Sequence, residues 1–573
     1  MSTSTPRMHE AFFAASELVQ IQPAAALRAV APAEGVAPAL SAVKSYAPPS
    51  TRVSNAVSLQ ASVAGGEIVP VEALRPVVKN PPRPGVQLGE IRDFSVGGKH
   101  YVFVIPVTGI FGVDSLGAEI LRCLRPLGTS TPGQTDAVQV PETLSAPLPE
   151  LLAAFQPRYT RPQVLQALSE LRAIGALDFV GLRDVRLKPP APQLPPIPFP
   201  QRTLVLNLAN DCNLGCSYCF AAQGDYGAPR RLMNEETGRK SVDFLLQNSG
   251  DHESVTLVFF GGEPLMNFSL LRRMVAYASE AGQKAGKRVE FTMTTNATYL
   301  TPEVIQFVSD HAIGVSVSID GPKKYHDARR TFKGGRGSYD MIYPRVRNLL
   351  QNHKTRRVAA RVTLTHGVTA VQEIFWHLKE MGFYEVGFAP VTSADQQDYA
   401  LSPEELWAIQ SEFQQLAELY VEKAAQNEYL GFSNLSNLLS ELHAGIVKAY
   451  PCGAGLGLLG VGADGELYLC HRFLESKEHL MGSVHQGIDL QKQAAFLKRA
   501  HLSRKPPCQV CWVRHICAGG CHHEAYTRYG DLHHANTHYC EWIRTWIDLG
   551  LQSYAGIMEK NSEFIEYVIE RRG

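Results

Sequence analysis

Three cysteines, Cys212, Cys216 and Cys219, lie in the run Asn-Asp-Cys-Asn-Leu-Gly-Cys-Ser-Tyr-Cys-Phe, directly after an apolar stretch with strand character. Thiolate is the metal-binding form of cysteine. Three thiolates on one loop can hold three corners of a [4Fe-4S] cube and leave the fourth iron open to a substrate or cofactor. The competing reading is zinc, which takes four donors and usually uses paired Cys-x2-Cys or mixed Cys/His ligands. Seven more cysteines crowd toward the C-terminus: Cys452, then Gly465-x4-Cys470, then Cys508-x2-Cys511-x5-Cys517-x3-Cys521, and Cys540. A zinc ribbon on Cys508 and Cys511 leaves the other five unexplained. Seven thiols are one fewer than two fully cysteine-ligated cubes require, so either a non-cysteine ligand completes one cube or one iron stays open. His471, His522 and His523 are candidate fourth ligands or proton acceptors, against the plainer reading of exposed or capping histidines. Cys123, in the apolar helical pattern Ala118 to Leu124, reads as a buried structural thiol.

The elements that must position these residues follow from periodicity. Beyond residue 200, strands and helices alternate: strands at Thr203 to Leu208, Val255 to Phe260, Val289 to Thr294, Gly314 to Ile319, Ala359 to Thr365 and Glu385 to Ala389, with helices between them. Such alternation predicts an α/β fold, a parallel sheet with crossover helices. Six strands suit a partial barrel better than a closed eight-stranded one. Cys212 to Cys219, Gly261-Gly262-Glu263-Pro264, Thr295-Asn296 and Asp320-Gly321 each follow a strand end, and barrel active sites lie at that C-terminal mouth.

Upstream, residues 188–200 are a Pro-rich, semi-rigid linker. Residues 87–187 combine a hairpin signal at Gly97-Gly98 with helical patterns at Leu116 to Leu124, Leu148 to Phe155 and Arg161 to Ile174 and a last strand near Ala176 to Val180, which fits a winged-helix-like module. Residues 1–86 are rich in Ala, Pro, Ser and Val, with a helix signal only at His9 to Gln20, and read as a poorly ordered extension. The expected division is therefore 1–86, 87–187, the linker 188–200, a barrel at 201–440 and a Cys-rich unit at 441–573.

Composition narrows the function classes. The chain has 573 residues, with 55 Lys plus Arg against 55 Asp plus Glu, so its charge calls for neither nucleic acid nor an anionic membrane. About three or four domains are expected at this length. The absence of a long apolar run or a secretory signal makes a cytoplasmic location the expectation. Eleven cysteines in a leaderless chain argue for metal or redox chemistry rather than a disulfide framework.

The cysteine loop and the Gly-Gly-Glu-Pro run together resemble the radical S-adenosylmethionine (SAM) superfamily, and the seven later cysteines resemble its SPASM extension. The resemblance implies three [4Fe-4S] clusters and SAM as cofactors, with Cys212, Cys216 and Cys219 on the SAM-binding cluster. It further implies Cys508, Cys511, Cys517 and Cys540 on a distal auxiliary cluster, and Cys452, Cys470 and Cys521 on a proximal one. Gly261, Gly262, Glu263 and Pro264 are implied to hold the SAM amino group. Asn296, Ser318, Asp320 and Arg361 are implied contacts of its carboxylate or ribose, and Tyr218 a packing partner of adenine. Each of these five has an ordinary alternative as a cap, turn, ion-pair or packing residue.

A winged-helix-like module before such a core resembles the leader-recognition domains of ribosomal peptide modification systems, which bind by strand addition. A docking or oligomerisation module is the alternative. Cys219-Phe-Ala-Ala-Gln-Gly-Asp-Tyr-Gly is most similar to thioether-forming maturases, the six-cysteine peptide and quinohemoprotein amine dehydrogenase types. Sulfatase-maturing relatives carry another cysteine between the first SPASM position and the Gly-x4-Cys element, whereas Gly453 to Leu469 contains none. The implied function is a Cys-to-carbon crosslink in a cysteine-bearing precursor peptide or small protein, made through a 5'-deoxyadenosyl radical with flavodoxin or ferredoxin as reductant. Carbon-carbon or carbon-oxygen crosslinking, or dehydrogenation as in sulfatase maturation, is the enzymatic alternative. An iron-sulfur redox or peptide-binding protein is the non-enzymatic one.

Overall fold

The computed structural model describes residues 85–124, 145–180, 194–392 and 397–572. The helix signal at His9 to Gln20, nearly all of the N-terminal extension and residues 188–193 of the linker lie outside the described residues.

The first unit has two small antiparallel sheets. Strands β1 (Gly85–Leu88), β5 (Ser145–Pro147) and β6 (Leu177–Val180) form one, in the order β5-β1-β6. Strands β2 (Ile91–Val96), β3 (Lys99–Val104) and β4 (Gly109–Val113) form the other. Val96 pairs with Lys99, so Gly97-Gly98 is the whole turn, and φ values of +57° and +80° explain why both positions are glycine. Strand β4 is an addition to the sequence reading; glycines at 109 and 112 dilute its strand signal. Helices α1 (Ser115–Cys123), α2 (Leu148–Phe155) and α3 (Arg161–Ala173) pack on the sheets through Ile120, Leu121, Phe155, Leu168 and Leu171. Asp114 caps α1 by accepting from Gly117 N–H at 2.8 Å. Cys123 is exposed, not buried as expected. The buried stripe of α1 runs through Leu116, Ile120, Leu121 and Leu124, and position 123 falls off it.

The second unit alternates β7 (Thr203–Ala209), α4 (Glu235–Gln247), β8 (Ser254–Gly261), α5 (Phe268–Lys284), β9 (Arg288–Thr295), α6 (Pro302–Asp310) and β10 (Gly314–Ser318). It continues with α7 (Lys323–Arg329), α8 (Tyr339–Asn352), β11 (Ala359–Leu364), α9 (Val371–Met381) and β12 (Glu385–Pro390). All neighbouring pairs from β7 to β12 are parallel. Each residue of β7 is buried, as a strand covered on both faces must be. This α/β arc does not close, because the free side of β7 pairs with β13 (Leu458–Val461) rather than with β12. Strands β14 (Glu466–Tyr468), β15 (Leu480–Ser483) and β16 (Gly487–Ile488) then extend the sheet antiparallel to ten strands. The segment carrying Cys452 and Cys470 is thus built onto the barrel sheet itself.

Long helices α10 (Pro403–Ala425) and α11 (Ser433–His443) follow the barrel. Helices α12 (Leu490–Ala500), α13 (Pro506–Gln509), α14 (Arg514–Cys517), α15 (His522–Tyr529), α16 (Cys540–Lys560) and α17 (Glu563–Arg572) complete the chain. Phe413 of α10 packs edge-on against Trp542 and Trp546 of α16, with ring centroids 5.7 and 5.4 Å away. The N-terminal unit docks on this region. Glu90 pairs with Arg514, Arg92 pairs with Asp548 at 2.8 Å, and the Arg92 guanidinium lies 4.9 Å above the Trp512 ring. Among the described residues no helix is long and apolar enough to cross a membrane.

Candidate functional site

The loop leaving β7 carries Cys212 and Cys216, each 9% exposed, and the half-buried Cys219. Leu214 and Phe332 pack beside them. Backbone N–H of Leu214 donates to Cys212 Sγ at 3.4 Å, and Asn296 Nδ2 donates to the same sulfur at 3.5 Å. Burial, then the Glu263 carboxylate, pushes the Cys212 thiol up to about 12. Burial also raises Cys216, with Arg330 opposing it. Thiols held this way do not ionise unaided at neutral pH, whereas a bound metal deprotonates its thiols outright. Three soft donors on one loop, in an apolar pocket with N–H groups aimed at sulfur, fit an iron-sulfur cluster. Among the described residues no three His, Cys, Asp or Glu side chains gather as ligands of a single ion. Thiols that each take a different corner of a cube have no need to.

The Gly-Gly-Glu-Pro run serves the cysteine loop first. Gly261 has φ +144°, and a Cβ there would lie 2.6 Å from Ala209 O; at Gly262 it would lie 2.2 Å from Asp211 O. Gly262 N–H donates to Ala209 O at 2.9 Å, and Glu263 N–H to Asp211 O at 3.0 Å. The glycines therefore allow one loop to lie against another. Glu263 is fully buried and accepts from Leu265 N–H at 3.0 Å, Thr295 Oγ1 at 2.8 Å and Asn296 N–H at 2.7 Å. A carboxylate has about four acceptor sites, so one remains for an outside donor. Burial raises Glu263 to about 7 against those three hydrogen bonds. Pro264 opens the single 3-10 turn Pro264–Asn267 that returns the chain to α5.

On the far wall, Tyr218 Oη donates to Asp320 Oδ2 at 2.6 Å, and Arg330 Nη1 donates to Tyr218 Oη at 2.6 Å. Asp320 also accepts from Thr363 N–H of β11 at 2.9 Å. Burial raises the Asp320 carboxyl, while the buried Arg330 guanidinium pulls it down. Sequence reading missed Arg330, which lies in an unremarkable Ala-Arg-Arg-Thr run 112 positions from Tyr218. Asn296 is buried, its amide shared between Cys212 Sγ and Asn213 Oδ1, its oxygen accepting from Thr298 N–H at 2.9 Å. Ser318 ends β10 directly opposite Arg361 of β11. Arg361 is exposed at its surface, and desolvation by the protein around it lowers its pKa. Gly224 was also missed: at φ +101° a Cβ there would lie 2.4 Å from Cys212 Cβ.

The later cysteines divide by electrostatic neighbourhood. Burial, then Cys521, raises Cys452 to about 11; burial, then Cys452 and Cys521, raises Cys470 to about 12. Burial, then Cys517, raises Cys508 to about 12, with Cys540 and Cys511 adding. Burial, then Cys517, raises Cys540 to about 11. Lys505, 3% exposed, faces Cys508, Cys517, Cys452 and Cys521, members of both groups. Arg472 N–H donates to Cys470 Sγ at 3.4 Å and its Nη1 to Cys521 Sγ at 3.5 Å. His522 is buried, not exposed, and its Nδ1 is 2.9 Å from Leu532 O. Burial lowers His471 to about 4 and His523 to about 3, so both are neutral imidazoles.

The two cysteine regions meet across an aromatic seam. Phe220, next to Cys219, contacts the rings of His471 at 6.0 Å, His523 at 6.1 Å, Tyr226 at 6.3 Å and Phe260 at 6.5 Å. With that geometry in view, the Radical SAM superfamily matches the chain over residues 206–375, the arc from β7 into α9. The chain carries a radical SAM domain.

Its relatives include the serine-type anaerobic sulfatase-maturating enzyme of Bacteroides thetaiotaomicron, 24% identical over 367 residues, covering 59% of this chain and 86% of that protein. The cysteine-type enzyme of Clostridium perfringens is 22% identical over 342 residues, covering 56% of this chain and 89% of its own. The structure of anSMEcpe with bound AdoMet superposes with a TM-score of 0.52 at 19% identity, over 64% of this chain and 98% of that one. The form with bound AdoMet and Cp18Cys peptide gives 0.52 at 19%, over 65% and 100%. This is the radical SAM α/β fold, and the radical SAM domain belongs with SAM and [4Fe-4S] chemistry.

Proposed function

We propose that this chain modifies a cysteine-bearing peptide or small protein, joining a cysteine sulfur to a carbon of the same client. The observation that carries the reading is the seam: Phe220 of the first cysteine loop touches His471, next to Cys470, and His523, two residues after Cys521. A client held there reaches both cysteine regions at once. In this reading Cys212, Cys216 and Cys219 hold the SAM-binding cluster, Cys452, Cys470 and Cys521 the proximal auxiliary cluster, and Cys508, Cys511, Cys517 and Cys540 the distal one. When bound, the first cluster and SAM supply a 5'-deoxyadenosyl radical.

The chain's own residues position and protect. Glu263 keeps one acceptor site for the SAM ammonium, a charge-assisted partner. Arg361 offers its guanidinium to the SAM carboxylate from the β11 wall, and Ser318 stands beside it. The Arg330–Tyr218–Asp320 chain fixes the wall against which adenine and ribose rest. Asn296 directs a donor at Cys212 Sγ, and such hydrogen bonds tune cluster potential. The step would balance as follows: the client carbon gives its hydrogen atom to the 5'-deoxyadenosyl radical, the client thiol gives its proton to solvent, carbon and sulfur join, and the surplus electron would pass to the auxiliary clusters that the later cysteines would hold and on to an external acceptor. Flavodoxin or ferredoxin supplies the priming electron, and the N-terminal module (residues 87–187) holds the client's leader.

A second reading, dehydrogenation as in sulfatase maturation, is favoured by the names of the relatives above; the cysteine-free Gly453 to Leu469 segment favours the thioether. Co-expression with precursor frames encoded beside this gene, followed by intact-mass and fragmentation analysis, separates them. The thioether reading expects loss of two hydrogens with a Cys-to-carbon link. The same mass loss with every client thiol still alkylatable rejects it.

A further inference from the structure

Tyr226 is the eighth residue of the nine-residue run from Cys219, and no role attaches to it so far. Its backbone sits at φ +54°, a conformation a bulky residue rarely adopts without cause. That conformation turns the ring into the seam, edge-on to Phe220 at 6.3 Å. Its hydroxyl is buried and has no hydrogen-bond partner in the protein. The titratable groups near it come from both cysteine regions: Cys219 first, then Cys470, Cys212 and Glu475. None of those groups takes its hydrogen. Glu475 is held instead by Arg231, 2.7 Å away. A buried hydroxyl left unmade is costly and calls for an explanation.

The rest of the seam points the same way. His471 Nδ1 and Arg472 Nε are likewise buried and unpartnered, and both residues contact the Phe220 ring, at 6.0 and 5.0 Å. Phe220 itself is 39% exposed although it sits among aromatic rings. An open aromatic surface ringed by unused polar atoms is built to take an apolar group carrying hydrogen-bond acceptors.

We infer that Tyr226 is a client-binding residue: its hydroxyl donates to the sulfur of the client cysteine as that thiolate passes between Cys219 and Cys470, with Phe220 packing on the cysteine's backbone unit. This rests on the proposed thiol-bearing client. Tyrosine combines the two features the position uses: a ring edge-on to Phe220 and a hydroxyl donor with no partner in the protein. Phenylalanine would keep the ring contact and lose the donor.

The test uses the anaerobically reconstituted holoenzyme and two probes, N-acetyl-L-cysteine N-methylamide and its alanine counterpart. Binding is followed by the change each probe makes in the electron paramagnetic resonance spectrum of the reduced auxiliary clusters. The cysteine amide is expected to perturb the wild-type spectrum, and Tyr226→Phe to weaken that binding about tenfold, with the SAM KM unchanged. The alanine amide is expected to bind both proteins weakly and equally. Phe220→Ala should weaken both amides alike. Equal binding of the cysteine amide to wild type and Tyr226→Phe overturns the inference, as does a SAM KM that rises instead, which would make Tyr226 a cofactor contact. Those outcomes leave the crosslinking reading standing, since that is decided separately by client mass.

Discussion

The two cysteine regions are built in opposite ways. Cys212, Cys216 and Cys219 occupy one loop at the end of one strand, and their geometry is set by a neighbouring loop, Gly261 to Glu263, zipped against it. The later seven are collected from segments far apart in sequence: β13 and β14 carry Cys452 and Cys470 onto the barrel sheet, and short helices bring the others. A local site tolerates changes elsewhere in the chain, whereas an assembled site depends on packing. The two should therefore fail differently.

The largest effect is expected from replacing Cys212, Cys216 and Cys219 together with alanine. SAM cleavage under reduction, measured as 5'-deoxyadenosine, should vanish while the auxiliary iron stays bound. Cleavage at the wild-type rate would remove the assignment of that loop. Changing Cys470 or Cys517 to alanine should do the reverse, sparing part of the abortive cleavage and abolishing crosslinked product. Product from either variant would mean that the assembled region is structural only.

Arg330→Met sharpens the comparison from the other side, because it attacks the positioning wall of the local site. Removing one partner from a buried charge pair costs about 3–5 kcal/mol, so urea midpoints should fall and the SAM KM should rise with iron content unchanged. An unaltered SAM KM would make the Arg330–Tyr218–Asp320 chain purely structural.

A smaller effect is a pH dependence. Glu263 is raised from an ordinary 4.5 to about 7 by burial, so between those values the folded protein binds more protons than the unfolded chain. Its contribution is fully present below about pH 4.5 and is lost as pH rises through 7. In cluster-free protein, Glu263→Gln should flatten the wild-type decline in melting temperature over that interval. A parallel decline in both proteins would assign it to another group.

The same contrast explains what could be read from the sequence. Every strand of the barrel arc, each a short apolar run bounded by turn residues, was legible within two residues of its observed ends. So was the convergence of four motifs on one mouth, which follows once strands are parallel. Contacts that join distant segments were not. Arg330 acquires its role only when the fold brings it to Tyr218. For Gly261 and Gly262 the sequence shows that a backbone approaches closely, and only the fold shows that the Ala209 to Asp211 segment lies against them. Strand β13 pairing with β7 has no local signal, since Leu458–Val461 could join any sheet edge. Cys123 shows the limit of a composition argument, because an apolar neighbourhood in sequence did not place it on the buried stripe.

The claim on which the rest depends is that ten thiols hold three cubes. Anaerobic reconstitution followed by Mössbauer spectroscopy and elemental analysis tests it directly. About twelve irons per chain, as three four-iron clusters contain, falling to about eight in the Cys212, Cys216 and Cys219 triple variant, is the predicted result. Four irons with zinc at the C-terminal cysteines, or an iron count that the triple variant leaves unchanged, would contradict it.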